Sequence, residues 1–250
     1  MDQPDGGGGG APQPLGAAQT GNSQLRNAHP AESFQLSIPR SSTPAQTWIA
    51  GVDEVGRGAL FGPVVAGAVI LPEPLPAMLI EAGVTDSKRL TPAVRARLVP
   101  LIQDVAIAHA IGIASVAEID RLNILQATFL AMRRAIARLD PEPHQCLVDG
   151  NRPIPHLAIA QQTLIKGDQI SLSIASASIL AKVWRDTLII RLEKRYPGYF
   201  LESNKGYGTA AHCRAIAQLG TTRQHRRSFK LGHSGLNSSA ALCMPLDLKP

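Results

Sequence analysis

Apolar and polar positions fall into short blocks along this chain, and the blocks change period. Residues 48–52 (WIAGV) and 64–71 (VVAGAVIL) are brief, branched, apolar runs, the pattern of buried strands. The Gly62-Pro63 pair between them marks a turn. Thr91-Pro92 opens a helix, with Thr91 as cap and Pro92 at the first position. A third strand is expected over 105–113. Residues 116–139 carry Ile119, Leu122, Ile124, Leu125, Phe129, Met132 and Ile136 at helical spacing, and Asp140-Pro141 stops that helix. Two further strands are expected over 146–148 and 157–165. A long helix over 171–195 ends at Tyr196-Pro197-Gly198, and a last one spans 210–218 with Gly220 past its end. Two early strands joined by a tight turn must be antiparallel, while the later helical crossovers suggest parallel pairing. The expected fold class is α/β, a mixed sheet with helices packed on it.

The flanks differ from this core. Residues 1–45 are rich in Gly, Pro, Gln, Ser and Ala and include GGGGG at Gly6 to Gly10. Such a segment buries too little to offset its ordering entropy, so disorder is expected there. Residues 233–250 look similar and are expected to form a flexible tail. One domain, 46–232, remains.

Composition narrows the class. The chain has 250 residues, 44% of them hydrophobic, enough for one sizeable core. Its 25 Lys+Arg against 19 Asp+Glu leave a net charge of +6, which leans toward a polyanionic partner. Cys146, Cys213 and Cys243 are far apart with no CxxC spacing, so neither a disulfide framework nor a zinc site is expected, and a cytoplasmic setting is. No apolar run reaches the roughly 20 residues that span a bilayer, and no secretory signal is visible at the N-terminus. No obligate protein partner is evident.

The chemistry sits in acids at strand ends. Asp53 and Glu54 stand side by side in GVDEVGRG, Asp149 follows an apolar run in LVDGN, and Asp168 lies in LIKGD just before the long helix. Strand ends of an α/β sheet are where sites collect. Converging carboxylates need a cation between them, and an all-oxygen set points to Mg²⁺ or Mn²⁺. Each acid also has a plainer reading. Asp168 would serve as a helix cap, and Asp149-Gly150 as an ordinary turn. Buried Asp53 and Glu54 require a partner, which is Arg57 or Lys88 if not a metal. Adjacent strand residues face opposite sides, so Asp53 and Glu54 share a metal only if the strand ends or bulges there. Asp186 reads as a structural ion pair or a supporting group.

The motifs AGVDEVGRG with GPVVAGAVIL, TDSKRL, LVDGNR, IKGD, SIASASILAKVWRD, YPGY, NKGYGT and HRRSF occur in that order between about Ile49 and Phe229. Together they make the chain resemble bacterial ribonuclease HII. The resemblance implies a ribonuclease H-like fold, a five-stranded mixed sheet flanked by helices. It implies a metal-dependent endonuclease that hydrolyses the RNA strand of RNA/DNA hybrids, including 5′ to a single ribonucleotide embedded in duplex DNA. Asp53, Glu54, Asp149 and Asp168 would be the catalytic metal ligands in a two-metal mechanism leaving a 3′-hydroxyl and a 5′-phosphate. Gly56, Arg57 and Gly58 would surround the ribonucleotide 2′-hydroxyl, Tyr207 would stack against that sugar, and Lys88 would lie near a backbone phosphate. The basic residues of the last third, among them Lys182, Arg185, Lys205, Arg223, Arg226 and Arg227, would contact phosphates, whereas Arg191, Lys194 and Arg195 read as solvated helix surface. His212 and His225 read as structural, and the run Ala175 to Ser178 as a close helix–sheet contact. Two other readings share the acids or the fold: a Holliday-junction resolvase or integrase-like nuclease, and a non-catalytic hybrid-binding module.

Overall fold

The computed structural model describes residues 47–229. The expectations for 1–45 and 233–250 fall outside the described residues, as do the outermost residues of the 46–232 domain.

The expected α/β layers are present. Strand β1 (Ile49–Val55) is central in a five-stranded sheet of order β3-β2-β1-β4-β5. It pairs antiparallel with β2 (Val64–Ile70) and parallel with β4 (Gln145–Asp149), which pairs parallel with β5 (Ala160–Leu164). Strand β3 (Ala108–Ala114) corrects one expectation: it runs antiparallel to β2 although helices intervene. The connection carries a short helix α1 (Ala77–Glu81), a 3₁₀ turn at Ser87–Arg89 and helix α2 (Pro92–Val105). Helix α2 continues to Val105, so β3 begins three residues later than the pattern suggests. Thr91 caps it as expected, its hydroxyl accepting from the Val94 N–H.

The apolar stretch 116–139 is two helices, α3 (Val116–Leu122) and α4 (Ile124–Ile136). Asn123, at φ 71°, ends the first and caps the second by accepting from the Gln126 N–H at 3.0 Å. An asparagine tolerates this left-handed backbone better than the apolar residues around it. Apolar spacing carries across the break, which is why a single helix was expected.

Period-two alternation sorts β1 between two cores. Ala50 and Val52 join the cluster under α4. Gly51 faces the long helix α5 (Leu172–Glu193) so closely that a Cβ there would lie 2.2 Å from the Ser173 carbonyl carbon. On β2, a Cβ at Gly67 would lie 2.3 Å from the Ala177 carbonyl oxygen. The small-residue run on α5 thus serves the close packing its composition suggests. Short helix α6 (Leu201–Asn204) and helix α7 (Ala210–Leu219) complete the described chain. At the outer edge of the sheet, Arg134 and Arg138 of the α4 region donate to the Ile113 and Ile111 carbonyls at 2.7 and 2.6 Å, which occupies groups that would otherwise invite another strand.

Candidate active site

Asp53 and Asp149 are brought together by strand register. Val52 lies opposite Val148 in the parallel β1–β4 pair, so the next residue on each strand leaves on the same face, toward α5. Asp149 Oδ1 accepts the Gly167 N–H at 2.7 Å, which ties the end of β4 to the 3₁₀ turn Gly167–Gln169 that carries Asp168. The plainer reading of Asp168 as a helix cap does not hold, because Ser171 caps α5 by accepting from the Ile174 N–H. Asp53 and Asp168 are only 4% and 5% exposed.

Glu54 arrives differently. Strand β1 keeps regular register with β2 through Val55, with Asp53 opposite Gly67 and Glu54 opposite Ala66. The bulge or strand end between the two acids is therefore not there, and their side chains leave β1 on opposite faces. Glu54 sits at the rim and meets Arg57 Nη1 at 3.3 Å, so the ion-pair reading of Arg57 holds. The Glu54 N–H is accepted by Asp53 Oδ1 at 2.7 Å.

The electrostatics are those of acids short of counter-charge. Burial, then the charge of Glu54, pushes the Asp53 carboxyl well above its usual range. Burial also raises Glu54, with Asp149 adding to the shift against the lowering by Arg57. Asp168 is raised by burial and by its neighbours Asp86 and Asp149. Burial alone would lower the Lys88 ammonium, but Asp168, Asp53, Asp86 and Asp149 outweigh it and hold it up. Lys88 Nζ stands 3.8 Å from Asp168 Oδ2 with its side chain 81% exposed, so it is one cation at the mouth of a four-acid rim. Among the described residues, no three Asp, Glu, His or Cys side chains stand close enough, as placed, to hold a metal ion between them. In chemistry, though, the group fits a hard divalent cation: every donor is a carboxylate oxygen, Asp53, Glu54 and Asp168 are raised by burial and by neighbouring carboxylates, and the ammonium stands only at the edge.

Two supporting groups escape the sequence reading. Asp86 of TDSKRL accepts from the Lys88 N–H at 2.9 Å and from Gln169 Nε2 at 3.3 Å, and its charge adds to that around Asp168. Ser178 of α5 donates toward Asp53 and lies 2.9 Å from the Ser87 hydroxyl. The available signal was an acid two residues before Lys88 in the same motif.

The loop after β1 carries Gly56, Arg57 and Gly58. Gly56 has φ 88°, and a Cβ there would meet Arg185 Nε at 2.1 Å, so its glycine is required by internal packing. A Cβ on Gly58 would meet nothing within 4 Å, so that residue faces open space. Leu60 and Phe61 donate to the Gly206 carbonyl at 2.8 and 3.1 Å, which sets Tyr207 beside the loop. Lys182 Nζ and Arg185 Cζ lie 5.6 and 5.3 Å from the Tyr207 ring centroid, within cation–π range. Asp186 is the ion-pair partner of Lys182, at 3.0 Å.

Two of the residues expected to contact phosphates do not reach solvent. Arg185 and Arg226 are 0% exposed, and their guanidiniums are used up on backbone carbonyls. His212 and His225 are buried with their Nε2 atoms 3.3 Å apart, in keeping with a structural role.

The family model described as "Ribonuclease HII" matches residues 50–232. The ribonuclease HII of Synechococcus elongatus is 62% identical over 188 residues, 74% of this chain and 87% of that protein. That of Acaryochloris marina is 60% identical over 185 residues, 74% of this chain and 93% of the other. Among solved structures, ribonuclease H2 from Pyrococcus horikoshii superposes with a TM-score of 0.63 at 27% identity, covering 74% of this chain and 95% of that one.

Proposed function

Since the chain belongs to the ribonuclease HII family, we propose that it cuts 5′ to a single ribonucleotide embedded in duplex DNA as well as within longer hybrids. It is a metal-dependent endoribonuclease acting on the RNA strand of RNA/DNA hybrids. The observation that carries the finer reading is the side-by-side register of Asp53 and Asp149, with Asp168 tied to Asp149 through the Gly167 amide.

Asp53, Asp149 and Asp168 are the groups that would hold Mg²⁺ or Mn²⁺ from the α5 face, with Glu54 reaching in from the rim. A pair of such ions supplies a water acidic enough to attack at neutral pH and positive charge for the departing 3′-oxygen. The chain's own part is placement. The Gly167 N–H fixes the Asp149 carboxylate, and the Ser178 hydroxyl fixes that of Asp53. Lys88, exposed beside the acids, takes a phosphate oxygen of the cleaved strand. Gly58, with nothing over it, lets a sugar reach the backbone of the Gly56–Gly58 loop, where N–H and C=O groups read a 2′-hydroxyl without reading the base. Tyr207 offers its ring face beside that loop. Hydrolysis leaves a 3′-hydroxyl and a 5′-phosphate.

The test is cleavage of a duplex with one embedded ribonucleotide, a uniform hybrid and an all-DNA four-way junction, with Mg²⁺ and Mn²⁺ in turn. Cleavage of the first two alone is expected. Cleavage of the junction, or of nothing with either ion, overturns the reading.

A further inference from the structure

Two fully buried guanidiniums lie beneath the loop that would read the sugar, with no carboxylate partner among the described residues. Arg226 donates to the Gly56, Arg57 and Gly62 carbonyls at 2.7, 2.7 and 2.9 Å. Arg185 donates to the Pro63, Lys205 and Phe61 carbonyls at 3.1, 2.9 and 3.0 Å. Between them they stitch three separated segments together: the loop after β1, the turn before Tyr207, and the strand-like stretch around His225 and Arg226.

The direction of these bonds has a chemical consequence. In a trans peptide the C=O and the following N–H point opposite ways. The Gly56 and Arg57 carbonyls are turned inward onto Arg226, so the Arg57 and Gly58 N–H groups are turned away from it. Among the described residues neither N–H donates to a backbone or side-chain acceptor. Beside them, Gly58 has open space where a side chain would stand. Successive free N–H groups of this kind form a concave site for an anion or a sugar oxygen. A lysine in place of either arginine keeps the charge but loses the planar fork that holds several carbonyls at once.

We propose that Arg226, with Arg185 beside it, is a positioning residue that turns the Arg57 and Gly58 amides toward the substrate and so sets discrimination between a ribonucleotide and a deoxyribonucleotide. This rests on the hybrid-cleavage reading. It goes beyond it in assigning discrimination to buried side chains that never touch substrate.

The test compares wild type, R226K and R185K. Affinity is measured for a duplex with one ribonucleotide and for the same duplex all in DNA, with Ca²⁺ present, alongside a thermal melt. A variant that is only less folded weakens both affinities equally. The expected result is a preference for the ribonucleotide duplex that falls about tenfold or more in each folded variant, with binding to the all-DNA duplex retained. A folded R226K with the wild-type preference overturns the proposal. Wild type without any preference sinks the cleavage reading instead, which keeps the two failures apart. If neither variant folds, the wild-type amide resonances decide. Arg57 and Gly58 N–H signals that shift with the ribonucleotide duplex and not with the all-DNA duplex support the proposal, and signals unmoved by both overturn it.

Discussion

Asp53 and Asp168 are buried with Glu54 and Asp149 half-buried beside them, and Arg185 and Arg226 are buried as a second like-charged group, yet the two groups are satisfied in opposite ways. The guanidiniums spend their donors on carbonyls of the chain itself. The carboxylates receive fewer, Asp149 from the Gly167 N–H, Asp53 from the Glu54 N–H and Ser178, and Glu54 from Arg57, and keep lone pairs to spare. A buried charge whose hydrogen bonds are all internal holds the fold together, whereas one left short is available to a ligand. The comparison teaches that charge sign and burial do not separate structure from function here. What separates them is whether the partners are already in the chain.

If that is right, neutralising a charge has opposite effects on stability in the two regions. The largest expected effect is on activity. Asp149→Asn keeps an oxygen for the Gly167 N–H but loses the charge, and cleavage should fall by at least about a thousandfold, on the order of 4 kcal/mol of transition-state stabilisation. Its urea midpoint should stay level or rise, since a repulsion is removed; near-normal turnover would break the comparison on the acidic side. Next, Arg185→Met leaves three carbonyls without a donor. Unfolding in urea should show a loss of about 3–5 kcal/mol, and an unchanged midpoint would break it on the basic side.

A third change sharpens the frame that holds both regions. Gly67→Ala pushes a methyl against the α5 backbone, where no flexible side chain can yield. The melting temperature should fall, by an overpacking cost of about 1–3 kcal/mol. The smallest effect is in pH. Burial, with His212 adding to it, lowers the His225 imidazole to about 4 from its ordinary 6.5. The unfolded chain therefore binds the extra proton first. The stability from neutral His225 is fully present above pH 6.5 and is lost as pH falls through 6.5 toward about 4. A urea titration at pH 7 and pH 5 should show this slope, and His225→Gln should flatten it.

Much of this was legible from residue order. Strands β1 and β2, the helix starts at Thr91-Pro92 and Ala210, and the placement of Asp53 and Asp149 on neighbouring strands, with Asp168 just before the long helix, follow from local pattern. The antiparallel direction of β3 did not, because a helix in a connection suggests a parallel return without requiring one. Nor did the break at Asn123, since apolar spacing runs through it. Arg226 lies in a basic run, RQHRRSF, where charge alone suggests a phosphate contact. Its neighbour Arg227 does lie at the surface, while Arg226 is buried under the β1 loop. Adjacent arginines with identical chemistry thus take opposite roles, and no local signal tells them apart.

The sequence by itself determined which elements form, which acids end the strands and which family the chain joins, because propensity, periodicity and motif order are properties of neighbours along the chain. Only the tertiary structure decided that β1 runs unbroken past its two acids, that Asp86 and Ser178 support them, and that Arg185 and Arg226 face inward. Burial and hydrogen-bond partnership depend on segments more than a hundred residues apart, such as Arg226 and Gly56, and charge is read by whatever surrounds it.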